Sequence, residues 1–117
     1  MSKILIRFSQ SPFGNALAQD GLDFALAATN YGHEVVVLFE GDGVLQLMDS
    51  DIHPSSFAKR LSVMPMFDIE ECYVCMQSLS NLNVSPSEKL IQSLELQKLD
   101  SSGKLDLFKH VTHTVTF

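Results

Sequence analysis

The chain has 117 residues, 45% of them apolar, which suits one compact domain over residues 1–117 with a real core rather than a stapled mini-protein. Fourteen acidic against eight basic side chains set a formal net charge of −6, and no Lys/Arg cluster offers the footprint a phosphate backbone rewards, so direct nucleic-acid binding is not expected. The longest apolar runs, Phe24–Ala28 and Val35–Phe39, fall far below the roughly 20 residues of a membrane-spanning helix. Two cysteines and no leading apolar segment point to a soluble protein of the reducing cytoplasm.

Lys3–Phe8 reads as a first strand, followed by a loop, Ser9–Gly14, punctuated by Pro12 and Gly14. Asn15 is placed to cap a helix in which Leu17, Gly21, Phe24, Ala25 and Ala28 form one stripe, with Gln19, Asp23 and Asn30 opposite. Tyr31-Gly32 ends it, because glycine accepts the left-handed backbone common just past a helix. Val35–Phe39 is continuously apolar and rich in β-branched residues, as in a parallel strand buried on both faces. Together these make a βαβ unit.

Glu40-Gly41-Asp42-Gly43 reads as a turn, since its two carboxylates would repel a phosphate and no Walker or dinucleotide glycine pattern is present. Val44–Met48 reads as a short helix, Asp49–Ser56 as a polar stretch, and Phe57–Met64 as helical up to Pro65, with Met64, Met66 and Phe67 forming an apolar segment. Cys72–Val74 suits a third strand, Met76–Leu82 a short helix, and Leu90–Leu96 a fourth strand. Lys104–Lys109 reads as a helix after Gly103, and His113–Phe117 as a closing strand. The alternation predicts a three-layer α/β/α sandwich around a mostly parallel sheet of about five strands, because parallel neighbours need crossovers that lay helices on both faces.

Ligands of such sheets collect at the carboxyl ends of the strands, where three loops should converge: Ser9–Asn15, Glu40–Gly43 and the region of Cys75. Cys75, at a strand end or in a first helical turn, is the candidate nucleophile, since unpaired N–H groups there stabilise a thiolate. Glu70 and Glu71 oppose that ionisation, and no Lys or Arg lies between Pro65 and Ser85 to offset them. Inert packing of both cysteines carries the larger starting weight from burial habits alone. Cys72 is read as core, because residues three apart on a strand point to opposite faces and cannot join in a disulfide without a turn. Tyr73-Val74 suit a strand better than a thioredoxin-type turn. The four histidines lack the spacing that would complete a zinc site, so no metal is expected, and His110 and His113 are read as solvated or hydrogen-bonded near a helix-to-strand junction.

Taken in order, Phe8-Ser9-Gln10-Ser11-Pro12-Phe13-Gly14, Gly21-Leu22-Asp23, Asp42-Gly43-Val44-Leu45-Gln46-Leu47, and Asp68-Ile69-Glu70 with Cys72-Tyr73-Val74-Cys75 resemble the TusC/DsrF branch of the DsrE-like sulfur-relay family. The resemblance implies a cytoplasmic heterohexamer, two copies each of three related chains, in which this one sits with TusB-like and TusD-like subunits and needs no cofactor. Such assemblies relay persulfide sulfur toward 2-thiouridine at the tRNA wobble position, or, as DsrEFH-type complexes, serve sulfur oxidation. The resemblance further implies that a cysteine of the TusD-type chain is the principal carrier and that chains of this branch are supporting, non-catalytic subunits. Cys75 matches the carrier pattern better than Cys72 and is the candidate persulfide position. Two competing expectations from other classes are a flavodoxin-like ligand-binding module using the rim loops and a CxxC thiol oxidoreductase with a reversible Cys72–Cys75 disulfide.

Overall fold

The computed structural model describes residues 2–12, 16–48 and 60–117. Five strands form one sheet in the order β4-β3-β2-β1-β5, with every pairing parallel. They are β1 (Lys3–Phe8), β2 (Glu34–Phe39), β3 (Glu71–Cys75), β4 (Gln97–Leu99) and β5 (His113–Thr116). Among the described residues, α1 (Leu17–Asn30), α2 (Met76–Leu82), α3 (Glu88–Leu94) and α4 (Ser101–Lys109) are α-helices, Arg60 and Leu61 are also helical, and 3-10 helices cover Gly41–Leu47 and Met64–Phe67. The expected three-layer sandwich is the architecture found.

Period-two alternation divides the apolar strands between two cores. Ile4, Ile6, Phe8, Val35, Val37, Phe39, Cys72 and Val74 face the layer built from α1, α2, α3 and the 3-10 helices. Leu5, Val36 and Leu38 face the other layer, where Leu107 and Phe108 of α4 cover them with Tyr73 and Leu99. Each fully buried side chain of this size stabilises the fold by about 2 kcal/mol relative to exposure. Phe8 and Phe39 stand opposite one another in the β1–β2 register, and their rings stack at 5.1 Å.

The first helix departs from its expected face. Ala18, Gly21, Leu22, Ala25 and Ala28 are the buried positions, while Leu17 and Phe24 remain about two-fifths exposed. The reason is close approach: a Cβ on Gly21 would lie 2.6 Å from the Phe8 ring, so small residues must face the sheet there and the bulky ones move to the flanks. Phe24 instead tilts against Phe117, with ring centroids 5.6 Å apart. Asn15, the expected cap, lies outside the described residues, and Ala16 holds the N-cap position. Gly32 does end the helix in a left-handed conformation, φ 83°.

Four further expectations are corrected. Leu90–Leu96 is not a strand: Leu90 and Leu94 are buried at the i, i+4 spacing of α3, and the real fourth strand is the short, mostly exposed Gln97–Leu99. The last helix begins before Gly103, because the Asp100 carboxylate accepts the Gly103 N–H at 2.7 Å and caps it. Gly41–Leu47 forms a 3-10 helix from its first glycine rather than a turn followed by a helix, and Pro65 lies inside a 3-10 turn in which Met64 is buried but Met66 is 82% exposed. The stretches Asp49–Ser56 and residues 57–59 lie outside the described residues.

Gly43 permits the 3-10 helix to lie against the end of β1, since a Cβ there would sit 1.9 Å from the Phe8 carbonyl oxygen and 2.5 Å from its carbon. Gly43→Ala should therefore destabilise the protein by more than about 2 kcal/mol. Urea unfolding checks this, and an unchanged midpoint would contradict the packing described.

Candidate functional site

Cys75 is the last residue of β3 and the N-cap of α2, with extended backbone angles of φ −74° and ψ 118°. Its position follows from the handover between a β-branched strand segment and the Met76-Gln77-Ser78-Leu79 helix, whose first N–H groups have no partner within the helix. Because the strand stays extended through Cys75, the two cysteines lie on opposite faces and both are free thiols. Cys72 is packed in the first core, where burial pushes its thiol up to about 12. Cys72 is therefore core, as its spacing suggested.

Cys75 lives in a different environment. Burial works against its ionisation, but the Ser78 hydroxyl and N–H, the charge of Lys104 and the Gln77 N–H outweigh that and hold the thiol below its ordinary value. Lys104 Nζ donates to Sγ at 3.7 Å. Ser78 Oγ accepts the Gly41 N–H at 2.8 Å, which leaves its hydroxyl proton free to point elsewhere and ties the exit of β2 to the exit of β3.

Behind the thiol lies a charge cluster. Glu40, 9% exposed just past β2, receives two hydrogen bonds from Arg7 of β1, Nε to Oε2 at 2.5 Å and a terminal nitrogen to Oε1 at 2.8 Å. Lys104 of α4 adds a third at 3.1 Å to Oε1. The Arg7 guanidinium lies over the Phe108 ring, 4.7 Å from its centroid. Burial opposes the Glu40 charge, yet Arg7 and Lys104 prevail and its carboxyl lies below the ordinary glutamate value.

Of the three expected rim loops, Glu40–Gly43 and the Cys75 region meet at the thiol. The described part of the first loop packs against the Gly41–Leu47 segment, its Gln10 carbonyl accepting from Gln46 and its Ser9 carbonyl 3.6 Å from where a Gly41 Cβ would sit, while its Ser9 hydroxyl donates to the Phe117 carbonyl. The expected opposition from Glu70 and Glu71 does not materialise at Sγ. Glu71 opens β3 about 13 Å away along the strand, where its carboxylate takes Lys3 at 3.0 Å and the Tyr73 hydroxyl at 3.0 Å. Lys104 is the charged neighbour of the thiol that the residues adjacent in sequence do not reveal. Its signal was the Asp-Ser-Ser-Gly cap starting at Asp100, which sets Lys104 in the first turn of α4 at the rim. His110 accords with its expected junction role, its Nδ1 lying 2.6 Å from the Asp106 carbonyl. Among the described residues no helix is long and apolar enough to cross a membrane, and none of their His, Cys, Asp or Glu side chains cluster in threes as metal ligands would.

The arrangement holds a thiol below its ordinary ionisation value beside a lysine ammonium, with Cys75 itself only 4% exposed. A shallow depression of about 270 Å³, lined by Met76, Gln77, Ser80, Asp100 and Ser101, opens beside it.

The profile of the DsrE/DsrF-like family matches residues 2–117. A Protein TusC homolog of Vibrio parahaemolyticus is 35% identical over 90% of this chain and 98% of its own length. A Protein TusC homolog of Haemophilus influenzae is 32% identical over 91% of this chain and 99% of its own. Among solved structures, the ychN protein from E. coli superposes with a TM-score of 0.80 at 15% identity, covering all of both chains. A conserved Bacteroides thetaiotaomicron protein of unknown function gives a TM-score of 0.63 at 14% identity over 97% of this chain and 94% of that one.

Glu40→Gln should destabilise the protein by about 2 kcal/mol at neutral pH, less than the full loss for a buried pair because Arg7 and Lys104 keep partial exposure. A depressed carboxyl stabilises the fold above its unfolded value, 4.5, and that contribution fades as pH falls through the lower native value. The gap between wild type and variant should thus close in acid, as read by urea unfolding; a gap independent of pH would contradict the ion pair. Iodoacetamide at neutral pH should label Cys75 and leave Cys72 untouched until unfolding, and equal labelling by mass spectrometry would refute the assigned environments.

Proposed function

The chain belongs to the DsrE/DsrF-like family, and on that premise we propose that it is a TusC-type supporting subunit of a cytoplasmic sulfur-relay heterohexamer. It acts as one domain over residues 1–117, assembled with TusB-like and TusD-like chains, in a relay that passes persulfide sulfur toward 2-thiouridine at the tRNA wobble position. The observation that carries this reading is the likeness to proteins named as TusC homologs over nearly their whole length, at 32% and 35% identity.

The site geometry agrees with a supporting role. Cys75 is polarised for sulfur chemistry, yet Lys104 and its neighbours cover it, so a carrier protein meets a screened thiol rather than an open one. Cys75 is accordingly an accessory sulfur-accepting position, and the principal carrier is the cysteine of the TusD-type chain. Exposed apolar side chains, among them Tyr31, Met66 and Leu105, supply surface for sister chains to cover.

Co-expression with TusB-like and TusD-like chains, followed by native mass spectrometry, should yield a hexamer containing two copies of this chain. In that complex Cys75→Ser should leave transfer of labelled sulfur largely intact. A chain that stays alone beside those partners would overturn the assembly, and loss of transfer with assembly preserved would overturn the accessory role.

A further inference from the structure

The cluster behind Cys75 is built from charges whose sum is not zero. Arg7 and Lys104 bring two positive charges to the single negative charge of Glu40, all three partly or largely withdrawn from water. One positive charge is left over, and Lys104, which carries it, has Sγ of Cys75 as its other neighbour at 3.7 Å. A monoanion at that sulfur closes the balance.

Among the described residues, the other charged groups around the site do not compete for this role. Asp100, at the start of α4, is engaged in capping Gly103 at 2.7 Å. Asp42 is exposed on the 3-10 helix, and Glu71 with Lys3 forms a separate pair at the opposite end of the strands. Arg7 cannot take over from Lys104, because its fork is committed to both Glu40 oxygens and its face to Phe108.

We propose that Lys104 is a positioning residue that retains sulfane sulfur on Cys75 by pairing with the anionic sulfur, Glu40 and Arg7 anchoring the ammonium in place. This rests on the accessory sulfur-accepting role of Cys75 given above. The Cys75 thiolate attacks the outer sulfur of an incoming persulfide, the donor's S–S bond breaks, and its electron pair leaves on the donor thiolate. That thiolate then takes the proton of the new Cys75 persulfide, so one thiolate and one persulfide become one perthiolate and one thiol with no net oxidation. The added sulfur lies about 2 Å beyond Sγ and carries the charge outward. The flexible lysine stem follows it, while its Glu40 contact keeps the ammonium near.

The test uses the full chain with Lys104→Met and Lys104→Arg variants, an iodoacetamide pH profile read at Cys75, and loading with glutathione persulfide read by intact mass. Lys104→Met should move the profile up by about one pH unit, slowing alkylation on the order of tenfold at neutral pH, and should lose the added sulfur correspondingly faster after desalting. Lys104→Arg, which keeps the charge, should restore both. An alkylation profile that is the same in wild type and Lys104→Met overturns the proposal, whatever the loading shows. A wild-type chain that gains no sulfur at Cys75 instead overturns the accessory-thiol reading, while the alkylation profile still decides whether Lys104 holds the anion.

Discussion

A carboxylate withdrawn from water needs cations, and the way Glu40 obtains them organises this end of the molecule. Arg7 reaches it from β1 and Lys104 from α4, so three elements distant in sequence are drawn to one point at the carboxyl rim of the sheet. The ammonium that satisfies Glu40 is thereby delivered to Cys75 as well. Removing the carboxylate takes away the 3.1 Å contact that anchors the Lys104 ammonium beside the thiol.

The two cysteines show how much environment decides. Both are buried in the ordinary sense, three residues apart on one strand, and both are penalised for ionising by that burial. Cys72 has apolar neighbours and nothing to offset the penalty, so its thiol stays protonated and serves packing. Cys75 meets a hydroxyl, two backbone N–H groups and an ammonium, which reverse the sign. The same alternation that separates the two cores of the sandwich separates a thiol pushed up by burial from one held below its ordinary value.

Much of this was legible from residues in order. The continuous apolar run Val35–Phe39 announced a strand covered on both faces, Gly32 announced the end of α1, and the extended segment before Met76 announced that Cys72 and Cys75 would point apart. What escaped was governed by neighbours distant in sequence. The buried face of α1 was displaced because Phe8 occupies the space that bulkier side chains would need, a fact no helical periodicity contains. Leu90–Leu96 looked like a strand because its few apolar residues fit either period, and the true β4 is too short and exposed to carry a pattern. The partner of Cys75 lies 29 positions along the chain on an element whose start was set by the Asp100 cap rather than by Gly103. The charge around the thiol is therefore set by Lys104 rather than by Glu71, which pairs with Lys3 at the other end of the strand.

The central claim is that the rim cluster holds Cys75 as an anion more readily than an ordinary thiol, and its most direct measurement is a pH titration of the Cys75 β-carbon resonance by NMR in the intact chain. The account predicts a midpoint below the ordinary thiol value of 9.0, with the Cys72 resonance unmoved over the same range. A Cys75 midpoint at or above 9.0 would contradict it.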